Sequence, residues 1–272
     1  MVRRPAGPGE ISWNPATGQL NPASLESIDA VVHLAGENVG ARWTAGRKAR
    51  IRDSRVEGTR LISETLARLA KRPEVMVSAS AVGIYGDRGD DVLTESSALG
   101  NSADFLAQVG VEWEAAADPA RQAGIRVVHP RFGLVLSRKG GALGRMLLPF
   151  RLGLGGRLGS GSQWMSWISL ADAVEVIGHV LSNRDVHGPV NVTAPRPVTN
   201  REFTRTLGRV LARPTVFAVP APFLRLLFGE MADVMLLAST RVVPARLTEL
   251  GYRFQHADLE TALRAALGRR GQ

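Results

Sequence analysis

The 272-residue chain is 44% hydrophobic and carries 34 Lys plus Arg against 25 Asp plus Glu, a formal charge of +9. That length buries a substantial core, no apolar run reaches the roughly 18 residues of a membrane-spanning helix, and the absence of cysteine removes disulfides, thiolate nucleophiles and zinc–thiolate sites. The charge attracts small anions without reading as a nucleic-acid surface: Lys48, Lys71 and Lys139 are the only lysines, and the arginines are scattered singly, with no stripe of interleaved aromatics. The basic opening Met1-Val2-Arg3-Arg4-Pro5 runs into Gly7, Pro8 and Gly9, unlike a secretory signal, so the cytoplasm is the expected location. Ala30-Val31-Val32-His33-Leu34-Ala35-Gly36 is a β-branched apolar run ending in small residues, the pattern of a buried parallel strand and a loop. From Thr44 to about Ala70, Ile51, Val56, Leu61, Ile62, Leu66 and Leu69 form a helical stripe that Pro73 ends.

Val75 to Ser80 is the next strand and enters a glycine-rich turn, Gly83-Ile84-Tyr85-Gly86. A second long helix is predicted over about Ser102 to Gln122, closed by Gly124. Arg126 to Val128 begins a strand that continues through Arg131 to Leu136. Strand, helix, strand, helix, strand is the signature of a doubly wound parallel sheet. Arg151 to Gly161 reads as an extended loop over the site, Leu170 to Leu181 as a helix, Pro189 to Val192 as a short strand, and the chain from Thr199 as mostly helical with a break at Pro214 to Pro222.

Several segments, in order, resemble one family. They are His33-Leu34-Ala35-Gly36-Glu37-Asn38, Ser54-Arg55-Val56-Glu57-Gly58-Thr59, and Ser78-Ala79-Ser80-Ala81-Val82-Gly83-Ile84-Tyr85-Gly86. Trp113-Glu114-Ala115-Ala116, Leu148 to Gly156 and Gly159 to Ile168 continue the likeness, and the tail from about Pro220 to Leu267 resembles a closing helical domain. Together they resemble the atypical, extended short-chain dehydrogenase/reductases: epimerase-family oxidoreductases, akin to NAD-dependent epimerases and dehydratases, with a C-terminal helical domain of unknown function. The resemblance implies an α/β, Rossmann-like doubly wound parallel sheet over residues 1–198, with a substrate-side loop at 146–169, and a mostly helical C-terminal subdomain over 199–272.

Two departures from the family pattern stand out. Val2-Arg3-Arg4-Pro5 aligns with the end of the family's second strand and Glu10 to Trp13 with its short third, so the fold is expected to lack its first strand and glycine loop. That loop holds the cofactor pyrophosphate through backbone amides and a helix N-terminus. A misassigned start or truncated chain is the expectation, with Ala30 to Leu34 left as an open edge and cofactor binding impaired. Second, hydride-transferring relatives use a Tyr-x-x-x-Lys pair in which lysine tunes the phenol and holds the nicotinamide ribose. With Glu114 set just beyond that pair, Leu106 and Gly110 stand in its place.

Ser80 and Tyr85 are the surviving candidates for substrate contact or proton relay; capping a turn and packing against the next loop are the alternative uses. Arg3 and Arg4 would meet the adenosine ribose, where arginine suits the 2′-phosphate of NADP. Leu34, Ala35 and Gly36, with Ser78 and Ala79, allow close backbone approach to the cofactor, and Arg131 and Gly133 would line its nicotinamide side. Trp164 and Trp167 could wall a pocket, Ser169 replaces a histidine of relatives, and Asp172 supports a helix N-terminus. The histidines at 33, 129, 179, 187 and 256 show no ligand spacing, so no metal is expected.

The functional expectation is an NADP(H)-dependent oxidoreductase or nucleotide-sugar-epimerase-like enzyme acting on a small molecule, with neither nucleic acid nor membrane as partner and a homodimer left open. The rival reading is a non-catalytic NAD(P)-fold binding or regulatory protein that lacks the Tyr-x-x-x-Lys pair.

Overall fold

Val75-Met76-Val77-Ser78 is apolar or small at consecutive positions, which suits a strand covered on both faces, and all four residues are buried. In the computed structural model, which describes residues 1–269 apart from Arg3, Pro5 and Ser102, this is strand β2. It lies between β1 (Ala30–His33) and β3 (Arg126–Phe132), with β4 (Gly188–Val192) beyond, in the spatial order β4-β3-β2-β1. All neighbours run parallel, with Ala30 opposite Val75, Val75 opposite Arg126 and Gly188 opposite Val128. β1 is the edge: Val32 is 39% and Leu34 53% exposed.

Alternation along the strands divides two apolar layers. Val31, Met76 and Val127 face Ile62 and Leu66 of α1 (Ala45–Arg68). Val75, Val77, Val128, Val190 and Val192 face the opposite side with α5 (Leu170–Ser182), the fifth α-helix in chain order. Thr44 caps α1 by accepting from the Arg47 amide, satisfying one of the donors a helix start leaves orphaned.

The single helix expected over Ser102–Gln122 is two. α2 (Phe105–Ala115) starts on Asp104, which accepts from the Leu106 and Ala107 amides. α3 (Asp118–Gln122) restarts with Pro119 in its first turn. Proline has no amide to donate back into α2 and is suited to a helix beginning.

The stretch read as a substrate-side loop is largely structured. It contains α4 (Gly141–Arg151) and the short strands Gly156–Leu158, Trp164–Met165 and Trp167–Ser169. These pair respectively with Phe217–Val219, Val198–Thr199 and Leu134–Leu136. Two-residue and three-residue strands with glycines between them leave no periodicity for a sequence to display.

After residue 199 come α6 (Asn200–Leu211), α7 (Ala221–Phe228), α8 (Ala245–Glu249) and α9 (Leu259–Leu267). Phe203 and Leu207 of α6 and Leu259 and Leu263 of α9 share one apolar cluster with Leu143, Leu147 and Trp167. Arg241–Val242 also pairs with Val92–Leu93. The expected subdomain boundary at 198 therefore separates elements that bury one common core. No helix among the described residues is long and apolar enough to cross a membrane.

Candidate functional site

Ligands of open α/β sheets gather at the strands' C-terminal ends, and a cavity of about 340 Å³ lies there. Ala81, Phe132 and Gly133 form its floor, Leu106, Val109, Gly110 and Trp113 of α2 one wall, and Met165, Met235 and Leu236 the opposite side. The latter pair belongs to a π-helical turn, Ala232–Leu237, a form of helix that recurs at functional sites. Leu106 and Gly110, the positions expected to lack the tyrosine and lysine, thus both face the cavity. A Cβ on Gly110 would come within 2.9 Å of the Ile84 side chain. α2 is seated on the turn at Val82–Tyr85 more closely than any side chain at 110 permits, so a lysine has no room there without moving the helix.

Beneath the cavity runs a buried polar network. Ser80 stands opposite Arg131 and Ala81 opposite Phe132 in the parallel ladder. Because successive side chains alternate between faces, Ala81 and Phe132 reach the cavity while Ser80 and Arg131 turn away from it. The Ser80 hydroxyl donates to Glu114 Oε1 at 2.7 Å. Arg131 donates from Nε and Nη2 to the two oxygens of Glu114, both at 2.8 Å, and from Nη1 to the Tyr85 hydroxyl at 2.8 Å. Tyr85 in turn donates to Asn191 Oδ1 at 2.8 Å. Asn191 closes the chain by donating its amide N–H to Glu95 and its side-chain amide to the Val243 carbonyl.

The electrostatics match this geometry. Burial opposes ionisation of Glu114, but the Arg131 hydrogen bonds and charge, with His129 and Ser80, hold its carboxyl below the usual carboxylate range. Burial likewise opposes the charge on Arg131, and Glu114 outweighs it and keeps the guanidinium protonated. Burial pushes the Tyr85 phenol up, against the pull of Arg131. Tyr85 is fully buried and Ser80 only 2% exposed, and neither lines the cavity.

The remaining expected site residues fall into three groups. Leu34, Ala35 and Gly36 line a groove of about 440 Å³ along the open edge of β1. Gly133 lines the cavity, and its lack of a side chain is required by packing, since a Cβ would strike the Ser166 carbonyl oxygen at 2.5 Å. Ser78 and Ala79 are buried and line neither space. Arg131, expected beside the nicotinamide, is committed to Glu114 and Tyr85. Arg4 donates twice to Glu10 at 2.7 Å on the surface; Arg3 lies outside the described residues.

Arg55 joins the groove to the cavity and is the one ionisable side chain among the described residues lining the latter. Its guanidinium packs against Gly36, whose Cβ would sit 3.0 Å from it, and lies 5.0 Å from the Trp113 ring. Its hydrogen bonds go to the Glu37 and Ile51 carbonyls, not to a carboxylate. Burial draws its pKa down, opposed by the charge of Glu37.

Residues 18–193 match the NAD dependent epimerase/dehydratase family. The chain belongs to that family. Residues 219–266 match a domain of unknown function (DUF1731). The chain is 44% identical over 273 residues to an epimerase family protein of Mycobacterium tuberculosis, covering 100% of this chain and 89% of that protein. It is 37% identical over 271 residues to the Homo sapiens epimerase family protein SDR39U1, covering 97% and 89%. The solved structure of human SDR39U1 (isoform 2) with NADPH is similar at a TM-score of 0.88 and 36% identity, over 98% of this chain and 89% of that one. A nucleoside-diphosphate sugar epimerase from Corynebacterium glutamicum gives 0.80 at 36% identity, over 98% of this chain and 52% of that one. The fold is accordingly the Rossmann-like α/β fold of the family.

Against the family's motif, sequence reasoning missed Arg55 as a cavity residue and Glu114 and Asn191 as network partners. Arg55 had a visible signal: it lies four residues after Ile51, on the apolar stripe of α1, where a solvated arginine has no reason to stand. Glu114 had a weaker one, a carboxylate set between Trp113 and Ala115-Ala116 but only two positions after Glu112. Asn191 and the π-helical turn had none. His256 is brought within 3.6 Å of Asp172 and 3.2 Å of Ser169. Both contacts serve the start of α5, where Ser169 accepts from the Asp172 amide and Asp172 accepts from the amides of Gln255 and His256. Among the described residues no three His, Cys, Asp or Glu gather as a metal site.

Proposed function

We propose that this chain is an NADP(H)-dependent oxidoreductase acting on a small molecule, in which Arg55 takes over the electrostatic role of the absent lysine. The observation that carries this reading is the place of Arg55: a guanidinium with no partner carboxylate among the described residues, between the bare strand end Ala35–Gly36 and a cavity that they line with no other ionisable group. NADP rather than NAD follows from the human relative, whose structure contains NADPH.

The residues present fit the nicotinamide end of such a cofactor. Gly36 leaves backbone accessible beside Arg55, and Ala81 and Gly133 leave the floor low. At the pyrophosphate the fit is partial, because ahead of β1 the described residues form no glycine-rich turn into a helix. When bound, the cofactor supplies hydride chemistry. The chain's residues supply position and charge: Arg55 polarises or neutralises an oxygen at the cavity mouth, Leu106 and Trp113 exclude water, and Ser80 and Tyr85 act through Glu114 and Arg131 as positioning residues for the strand ends. Among the described residues no cavity side chain can exchange a proton near neutral pH, so the proton would come from solvent at the open mouth of the cavity.

That same absence supports a second reading, a cofactor-binding protein without turnover. Two measurements on the whole chain separate them. NADPH titrated to near-millimolar concentration should gain fluorescence by energy transfer from Trp113 and Trp164; no binding there ends both readings. NADPH consumption with a panel of aldehydes and ketones should be measurable; binding without consumption leaves the second.

A further inference from the structure

We infer that the cavity takes a predominantly apolar molecule with one oxygen-bearing end turned towards Arg55, and not a nucleotide-linked sugar. This deepens, and rests on, the reading of the cavity as the substrate site.

The walls carry the first part of the case. Leu106, Phe132, Met146, Trp164, Met165 and Leu236 dominate the lining. Three of the chain's six methionines (146, 165 and 235) lie there, and methionine's flexible thioether adapts to apolar surfaces of varied shape.

The polar lining residues Gln163, Ser166, Asn200 and Thr240 carry the second, because the first three are already engaged, which leaves the Thr240 hydroxyl. Gln163 donates to the carbonyls of Leu158 and Leu236. The Ser166 hydroxyl donates to the Thr240 carbonyl and accepts from the Val242 amide. Asn200 accepts from the Leu158 amide and donates to the Met165 sulfur. A sugar brings several hydroxyls, each of which needs a partner once it leaves water, and these side chains have little left to give.

Charge carries the third. A diphosphate in an apolar space needs cations to replace its hydration, and among the described residues Arg55 is the only one on the lining, with its Nη1 already donating to two carbonyls. Arg157, Arg201 and Arg205 do form a cationic depression. It lies on the other side of the strand Gly156–Leu158, however: Leu158 reaches the cavity and its neighbour Arg157 points the opposite way.

The test uses the full chain and N-phenyl-1-naphthylamine, an uncharged apolar fluorophore, with UDP-glucose as competitor and NADPH followed in a separate titration. The probe's fluorescence should rise saturably, and millimolar UDP-glucose should leave it unchanged. Met165→Glu should weaken the probe at least tenfold. Met235→Glu, on the partly exposed π-helical turn, should do the same and guards against a folding defect in the first variant; circular dichroism checks both. Displacement by UDP-glucose, or probe binding undiminished in both folded variants, would overturn the inference. Failure of NADPH to bind while the probe still binds would sink the oxidoreductase reading alone, and NADPH binding without probe binding would sink this inference alone.

Discussion

Two regions separated by the thickness of one strand differ in almost every respect. Above the ends of β2 and β3 is a space walled by leucine, methionine and aromatic side chains, with a single guanidinium at its mouth. Below it Ser80, Glu114, Arg131, Tyr85 and Asn191 exchange five hydrogen bonds of 2.7–2.8 Å. The register pair Ser80 opposite Arg131 and Ala81 opposite Phe132 makes the division. The lesson is that the residues richest in chemistry are employed in joining β2, α2, β3 and β4, while the cavity above them is lined by apolar surface and Arg55.

The sharpest way to break this contrast is to remove a network charge. Glu114→Ala leaves the Arg131 guanidinium, 4% exposed, without its counter-charge, and should cost about 3–5 kcal/mol of stability, read by urea denaturation. A loss below about 1 kcal/mol would show the network to be slack. Next, Gly110→Ala forces a methyl group into the 2.9 Å gap to Ile84 and should cost about 1–3 kcal/mol by overpacking. Restoring the family pair with Leu106→Tyr and Gly110→Lys should lower the melting temperature and add no activity to that of the unmodified chain. Gain of turnover would mean that α2 can shift to admit the lysine.

Tyr85→Phe comes third. It leaves one Arg131 N–H and the Asn191 carbonyl oxygen without partners, for about 1–3 kcal/mol. The pH profile gives a smaller and more selective effect. The Glu114 carboxyl is held below its ordinary value of 4.5, so its contribution is fully present above that pH and is lost as pH falls through the folded value. His129, which burial holds below 6.5 against the pull of Glu114, starts to cost stability as pH drops under 6.5, because the unfolded chain takes up the proton first. Glu114→Gln should reduce the acid loss below 4.5, to which the surface carboxylates Glu10 and Glu260 also contribute; an unchanged profile below 4.5 would contradict the assigned charge state. Arg4→Ala, at an exposed pair with Glu10, should produce no measurable change in melting temperature.

Much of the frame was legible in the chain. Apolar strands, the α1 stripe from Ile51 to Leu66 and the turn at Gly83–Gly86 carry periodicities or punctuation that physics writes locally. The weak points were non-local. A proline in the first turn of α3 was absorbed into a long apolar helix. Short strands such as Gly156–Leu158 owe their existence to partners 61 positions away, Phe217 facing Gly156. The site suffered most from this. That Ser80 ends a strand can be read from the sequence; which face it occupies depends on the ladder with Arg131, and that places its hydroxyl under the cavity floor. The vacant positions at Leu106 and Gly110 were legible, whereas the reason for them, the contact of Gly110 with Ile84, belongs to helix packing.

The division between a structural network and an apolar, Arg55-gated cavity is tested most directly by one paired titration: NADPH affinity of Tyr85→Phe and Arg55→Met against the unmodified chain, at a temperature where all three are folded. The methionine keeps an unbranched side chain against Trp113 and removes the charge together with the hydrogen bonds to the Glu37 and Ile51 carbonyls. Tyr85→Phe should bind as the unmodified chain does, and Arg55→Met should lose at least about tenfold, the scale of one charged hydrogen bond. Undiminished binding by Arg55→Met, together with a tenfold loss in folded Tyr85→Phe, would contradict the account and return the chemistry to the buried tyrosine.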